Sequence, residues 1–279
     1  FAFVGGFSTL ILAVVAGGVW WQSRSILSLA GAPFFLLLNQ SFMSVIATTR
    51  VFPPQRNLML RETSLGYYGV IPYFLAQNVY DSAMSLLIPT LFAIIFYLMA
   101  GLELSALAFF TMWGVLLLTV VTAQSLGLFI ACSIMDVATT SAVTAVVILF
   151  FMLLGGFYVS AEGVLAWLSW IKYLSFIYWG YSALMINEFG NGRPDIVDPS
   201  VSEFGVLPCE WANDMEFGPC FNISSNGTIT ANATYPHGYI YGSTVLDIFG
   251  FGDNTISFCC AALAILAVGW RILACLALW

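Results

Sequence analysis

The chain has 279 residues, of which 61% are hydrophobic and only 8% charged, and seven basic side chains stand against fourteen acidic ones for a net charge of −7. Soluble domains carry about a quarter charged residues, so a water-soluble core of this size is excluded. Repeated apolar runs near the ~20 residues that a helix needs to cross hydrocarbon, without the short alternating segments of a barrel, predict an all-α polytopic membrane protein.

Residues 1–21 form the first predicted span, closed by Trp20-Trp21 where interfacial aromatic anchors sit. No leader with a charged start is visible, and both ends lie in apolar runs, so the chain is expected to be part of something longer. The second span, 28–49, carries Asn39 and Gln40 in its interior. Residues 50–69 hold Arg50, Arg56, Arg61 and Glu62 beside Pro53-Pro54 and read as a loop. The run 70–100 exceeds a single crossing and is marked by Pro72, Asp81 and Pro89, so its start is read as an interfacial or tilted extension. Spans 104–132 and 137–159 are joined by a tight turn at Asp136. A further apolar run, 164–186, has Lys172 in its middle; residues 191–253 are polar, and 254–278 is the last span.

Basic residues in short loops stay cytosolic. Arg50, Arg56 and Arg61 share one loop, so 50–69 and the amino end are placed there, and the carboxyl end joins them only if 164–186 does not cross. If 164–186 crossed, 191–253 would be cytosolic as well. That loop nevertheless holds three clustered glycosylation acceptors, Asn222, Asn226 and Asn232, together with a cysteine pair, Cys209 and Cys220, expected to close a small disulfide ring. Lys172 at bilayer centre would also cost about 2.5–3.5 kcal/mol on insertion scales. A re-entrant helical hairpin over 164–186, entering from outside and returning there, satisfies every constraint. Six transmembrane helices and an extracellular loop at 191–253 remain. Cys132, Cys259, Cys260 and Cys275 read as small apolar fillers.

Several stretches in this order resemble a known family: Phe34-Phe35 followed by Asn39-Gln40 and Phe42, Arg61-Glu62 ahead of Gly66-Tyr67-Tyr68, Tyr73-Phe74-Leu75 with Asp81 and Pro89, Tyr97 through Leu102, Trp167 through Tyr173, and Tyr181 with Asn187-Glu188-Phe189. The chain resembles the membrane domain of the G subfamily of ABC transporters, the white/brown-type half-transporters with an ABC-2 type membrane domain. The resemblance implies a nucleotide-binding domain upstream that holds ATP and magnesium, a second half-transporter as partner in a homo- or heterodimer, and export of hydrophobic molecules such as lipids, sterols or xenobiotics by alternating access. No Gly-x-x-x-x-Gly-Lys-Ser/Thr loop occurs in the chain, so no ATP hydrolysis, catalytic residue or metal site is expected within it. No nucleic-acid partner is expected either. The bilayer is that of the eukaryotic secretory pathway or plasma membrane.

The amide of Asn39 is either helix–helix glue or, as the resemblance implies, a polar contact in a substrate cavity where Phe42 stacks on flat cargo. Phe35 lies two turns before Phe42 on the same face. Ala145, Ile148, Leu149 and Met152 form one stripe at helical spacing, open to a packing reading or to a place opposite Phe42. The resemblance makes Phe157 and Tyr158 an outer gate, aromatic here instead of aliphatic, and gives Arg61 and Glu62 the coupling to the nucleotide domain. Asp81 and Glu188 raise the alternative of a secondary transporter or channel independent of ATP. A non-transporting membrane scaffold is the other alternative.

Overall fold

In a computed structural model, the described residues are 2–21, 26–102, 105–134, 136–158, 169–190, 220–223, 229–232, 245–246, 249–252 and 254–278. They form helices α1 (Ala2–Val19), α2 (Ile26–Ser64), α3 (Val70–Ser85), α4 (Leu87–Ala100), α5 (Ala106–Ser133), α6 (Val137–Leu153), α7 (Ser169–Lys172) and α8 (Phe176–Phe189), then strands β1 (Cys220–Ile223) and β2 (Ile229–Asn232), and finally α9 (Ile256–Leu278). The protein is a polytopic α-helical membrane protein, with one short two-stranded pair among the described residues. Among the described residues, four stretches are long and apolar enough to cross a bilayer: Ser28–Ser64, Val70–Ala100, Ala106–Ser133 and Ile256–Leu278, with shorter apolar helices in α1 and α6.

The hub is α5, which packs against α2, α8 and α9. Three of its hydroxyl side chains bond its own backbone: Thr119 donates to Val115 O at 2.8 Å, Thr122 to Leu118 O at 2.8 Å and Ser125 to Val121 O at 2.7 Å. Hydrocarbon offers no partner, so these groups must be satisfied inside the protein. Thr122 also reaches Leu263 O on α9 at 3.2 Å. The main core joins Leu36, Leu37, Phe92, Phe96, Leu116 and Ile177, all buried. A second, smaller core gathers Phe52, Met59, Phe74, Leu128, Cys132 and Ala274.

That second core accounts for one departure from the sequence reading. The stretch 50–69, read as a cytosolic loop that the resemblance makes helical, is helical as far as Ser64 and runs on from the 28–49 span without a break. Proline removes a backbone donor and crowds the preceding turn, yet Phe52 and Met59 on either side of Pro53-Pro54 are fully packed, and their burial offsets that loss. The long run 70–100 divides at Leu86 into α3 and α4, three residues before Pro89. Helix α6 starts on the Asp136 side chain, which accepts from Thr139 N at 2.8 Å as an N-cap. Bonds to Thr139 hold the Asp136 carboxyl below the usual carboxylate range.

Helix α8 has fourteen residues and is buried almost throughout. Its polar groups reach neighbouring elements: Tyr181 Oη donates to Ala30 O at 3.3 Å, in the turn that Pro33 disturbs, and Asn187 Nδ2 donates to Ala108 O at 3.0 Å. Asn254, just ahead of α9, donates to Ser182 Oγ at 3.1 Å. Strands β1 and β2 pair antiparallel, with Cys220 opposite Asn232 and Asn222 opposite Thr230; the polar-loop reading did not foresee them. The first part of the 164–186 hairpin, Cys209 and Asn226 lie outside the described residues.

Candidate functional site

Three regions carry the residues singled out from sequence. The first is an aromatic cluster around Phe157 and Tyr158. Phe34 of α2 is buried and stacks on Phe157 with centroids 4.6 Å apart and planes at 20°, and it meets Tyr158 edge-on at 5.6 Å and Tyr181 at 5.1 Å. Tyr181 in turn contacts Phe157 at 6.1 Å and Phe251 at 5.5 Å. Tyr178 meets Phe251 at 5.7 Å. Offset-stacked and edge-to-face pairs of this kind contribute about 0.5–1.5 kcal/mol each beyond burial. The backbone beneath is special: Gly156 has φ +91°, and a Cβ there would come within 2.6 Å of the Phe251 ring. Only glycine allows that turn and that contact together.

The second region is a stripe along α2 and α6, which pack against each other. On α2, Phe35, Asn39 and Phe42 are half-buried, and Met43 and Ile46 continue the stripe as exposed side chains. Gln40 points inward, is buried, and donates to Asn39 Oδ1 at 3.2 Å. On α6, Ala145 and Leu149 are exposed, Met152 is half-buried, and Ile148 turns into the core. The predicted stripe is therefore split, with Ile148 as the packing residue. Phe35 does not join Phe34 at Phe157; its ring lies 5.1 Å from Trp20 of α1.

The third region is the foot where α2 ends and α3 begins. Arg61 is exposed. The Glu62 carboxylate accepts from Tyr68 Oη, and the Tyr68 ring stacks on Tyr73 at 5.5 Å with planes at 7°. The hydrogen bond to Glu62, with a little burial and the nearby negative charge, pushes the Tyr68 phenol up to about 12. Glu62 thus ties the end of α2 to the first turn of α3 across the Leu65–Gly69 turn.

A family model described as ABC-2 type transporter matches residues 2–189. The chain belongs to the ABC-2 type transporter family. Within it, this ABC-2 membrane domain is of the G-subfamily type. It is 34% identical over 207 residues to ABC transporter G family member 22 of Arabidopsis thaliana, covering 71% of the chain and 27% of that protein. It is 28% identical over 274 residues to protein white of Drosophila melanogaster, covering 97% of the chain and 35% of that protein. To the broad substrate specificity ATP-binding cassette transporter ABCG2 of Mus musculus it is 27% identical over 270 residues, covering 94% of the chain and 37% of that protein. The chain thus spans about a third of the length of these relatives.

Sequence reasoning about the ABC-2 domain missed Phe34 and Tyr181 as neighbours of Phe157, and Phe251 against Gly156. The paired glycines Gly155-Gly156 were the available signal, because consecutive glycines ahead of two aromatics mark a close backbone approach. It also passed over Arg271 within the last span, whose Nη2 donates to Ser82 Oγ at 2.6 Å.

Proposed function

We propose that this ABC-2 domain is the membrane-spanning part of an ATP-driven exporter of hydrophobic or amphipathic molecules, working as a dimer by alternating access. The observation that carries the reading is the uncovered stripe of α2 and α6. Phe42, Leu149 and Met152 and the amide of Asn39 keep open surface on these two packed helices, and pockets for apolar ligands have that composition. A second half-transporter facing the stripe would close it into a pathway, with Phe157 and Tyr158 as its outer gate.

The nucleotide chemistry belongs to a domain outside this sequence, because no phosphate-cradling loop exists in it. ATP and magnesium there supply the closing stroke. Arg61 and Glu62, at the foot, receive it and pass it into α2 and α3. A six-span topology with both ends cytosolic goes with this reading. Supporting it, α8 spans only about 21 Å at 1.5 Å per residue, short of the ~30 Å hydrocarbon layer, as a segment returning to its own side requires. The loop 191–253 then faces the exterior, with Asn222, Asn226 and Asn232 glycosylated and Cys209 joined to Cys220.

The test uses the full-length protein, nucleotide domain included, in sealed vesicles. ATP-dependent accumulation of flat apolar fluorophores is expected, and Phe42→Ala should lower kcat/KM for them by about tenfold, the equivalent of one lost stacking contact. Accumulation that survives ATP depletion would point to a secondary transporter or channel. Absence of any cargo-stimulated ATP turnover would leave a scaffold.

A further inference from the structure

Arg271 lies in α9, seven residues before its last residue, Leu278, or about 10 Å along the helix axis. A guanidinium stays charged in proteins and carries five donors, and a cation at this depth requires an anion or several acceptors. Among the described residues its hydrogen-bond partner is neutral: Nη2 donates to the Ser82 hydroxyl of α3 at 2.6 Å. Its Nε is buried without a partner. The neighbouring carboxylate does not serve. Both oxygens of Asp81 accept from Gln77 Nε2 at 3.0 Å, and no ion pair between Asp81 and Arg271 is formed. The guanidinium itself is only half-buried. Near Ser82 and Arg271 along their helices, Val79 of α3 and Val268 and Ile272 of α9 are 72%, 58% and 56% exposed, so apolar surface is open on both helices beside the pair.

We infer that Arg271 and Ser82 form a phospholipid site at the α3–α9 edge, in which the guanidinium binds the phosphate of an anionic lipid from the leaflet at the C-terminal end of α9. The chemistry follows from what is open. The terminal Nη nitrogens of the planar guanidinium match two oxygens of a phosphate, and a long arginine stem lets the charged head reach away from the apolar layer. An anionic headgroup is favoured over choline, whose own positive charge would lie beside the arginine. The bound lipid would pin α3, the segment that begins at the Glu62–Tyr68 foot, against the last helix. This site is separate from the α2–α6 stripe and does not depend on the export reading.

The experiment takes the full-length protein in detergent, stripped of lipid, and reads bound lipid by native mass spectrometry and unfolding temperature during titration with phosphatidylserine, phosphatidylcholine or inorganic phosphate. Phosphatidylserine should bind saturably and raise Tm, with an apparent affinity at least about tenfold above that of phosphatidylcholine. Arg271→Gln should remove that preference. Arg271→Lys, which keeps the charge and loses the fork, should retain part of it and serves if the glutamine variant does not fold. Inorganic phosphate should leave Tm unmoved. An unchanged preference in Arg271→Gln, no preference in the wild type, or an equal Tm rise with inorganic phosphate would each overturn the lipid site.

Discussion

Phe157 and Tyr158 differ in what holds them. Phe157 is stacked on Phe34 and edged by Tyr181, whereas Tyr158 is 57% exposed. The pair is thus clasped by its own chain through Phe157, and Tyr158 is the ring left to meet something else. If the pair forms a gate, opening it must break the Phe34–Phe157 stack, a barrier contribution of about 0.5–1.5 kcal/mol. Replacing both residues with alanine is therefore expected to raise basal leak by up to about tenfold, read as cargo efflux from preloaded vesicles without ATP. Unchanged efflux would remove the gate role. Which residue does the clasping was not evident from Phe34-Phe35 as a pair. Adjacent helical positions point about 100° apart, and only the packing of α2 sent Phe34 to Phe157 and Phe35 to Trp20.

Helices here are held at close range by small residues and by polar groups facing a carbonyl, as expected where lipid competes for every apolar contact. Gly180 of α8 is the clearest case: a Cβ would come within 2.6 Å of both Leu37 of α2 and Thr119 of α5. Three helices therefore meet at one missing side chain. Gly180→Ala is expected to destabilise the bundle by about 1–3 kcal/mol through overpacking, and combining it with Leu37→Ala should recover part of the loss. Thermal unfolding of the purified protein in detergent reads both, and a Tm for Gly180→Ala equal to wild type would mean that the three helices can separate at no cost. The periodicity of α8 indicates a helix. Its near-complete burial is a property of α2, α5 and α9 around it.

At the scale of the whole molecule, the main core and the smaller core gather different candidate residues. The aromatic cluster belongs to the first, and Glu62, Tyr68 and Tyr73 border the second. A push delivered at Arg61 and Glu62 enters both α2, which carries the stripe, and α3, which continues through Leu86 into α4. Glu62→Ala removes the acceptor for Tyr68 without emptying any core position. The variant is expected to reach the cell surface and hydrolyse ATP at near wild-type rates, while cargo export per ATP falls several-fold. Export and turnover measured together on the same vesicles decide it, and normal coupling would release Glu62 from the role.

Composition and the lengths of apolar runs were enough to establish a helical membrane protein, because a chain in hydrocarbon must satisfy its backbone within each segment. The ordered motifs were enough to point to the ABC-2 family, and the run 164–186 already carried its ambiguity in Lys172. Faces and partners were decided only by the tertiary structure. The continuation of α2 through Pro53-Pro54 needed Phe74, Leu128 and Ala274 to receive Phe52 and Met59. Arg271 went unremarked in the sequence, and its link to Ser82 joins positions 189 residues apart. Local periodicity tells a residue which way its helix turns; what lies there is set by other segments of the chain.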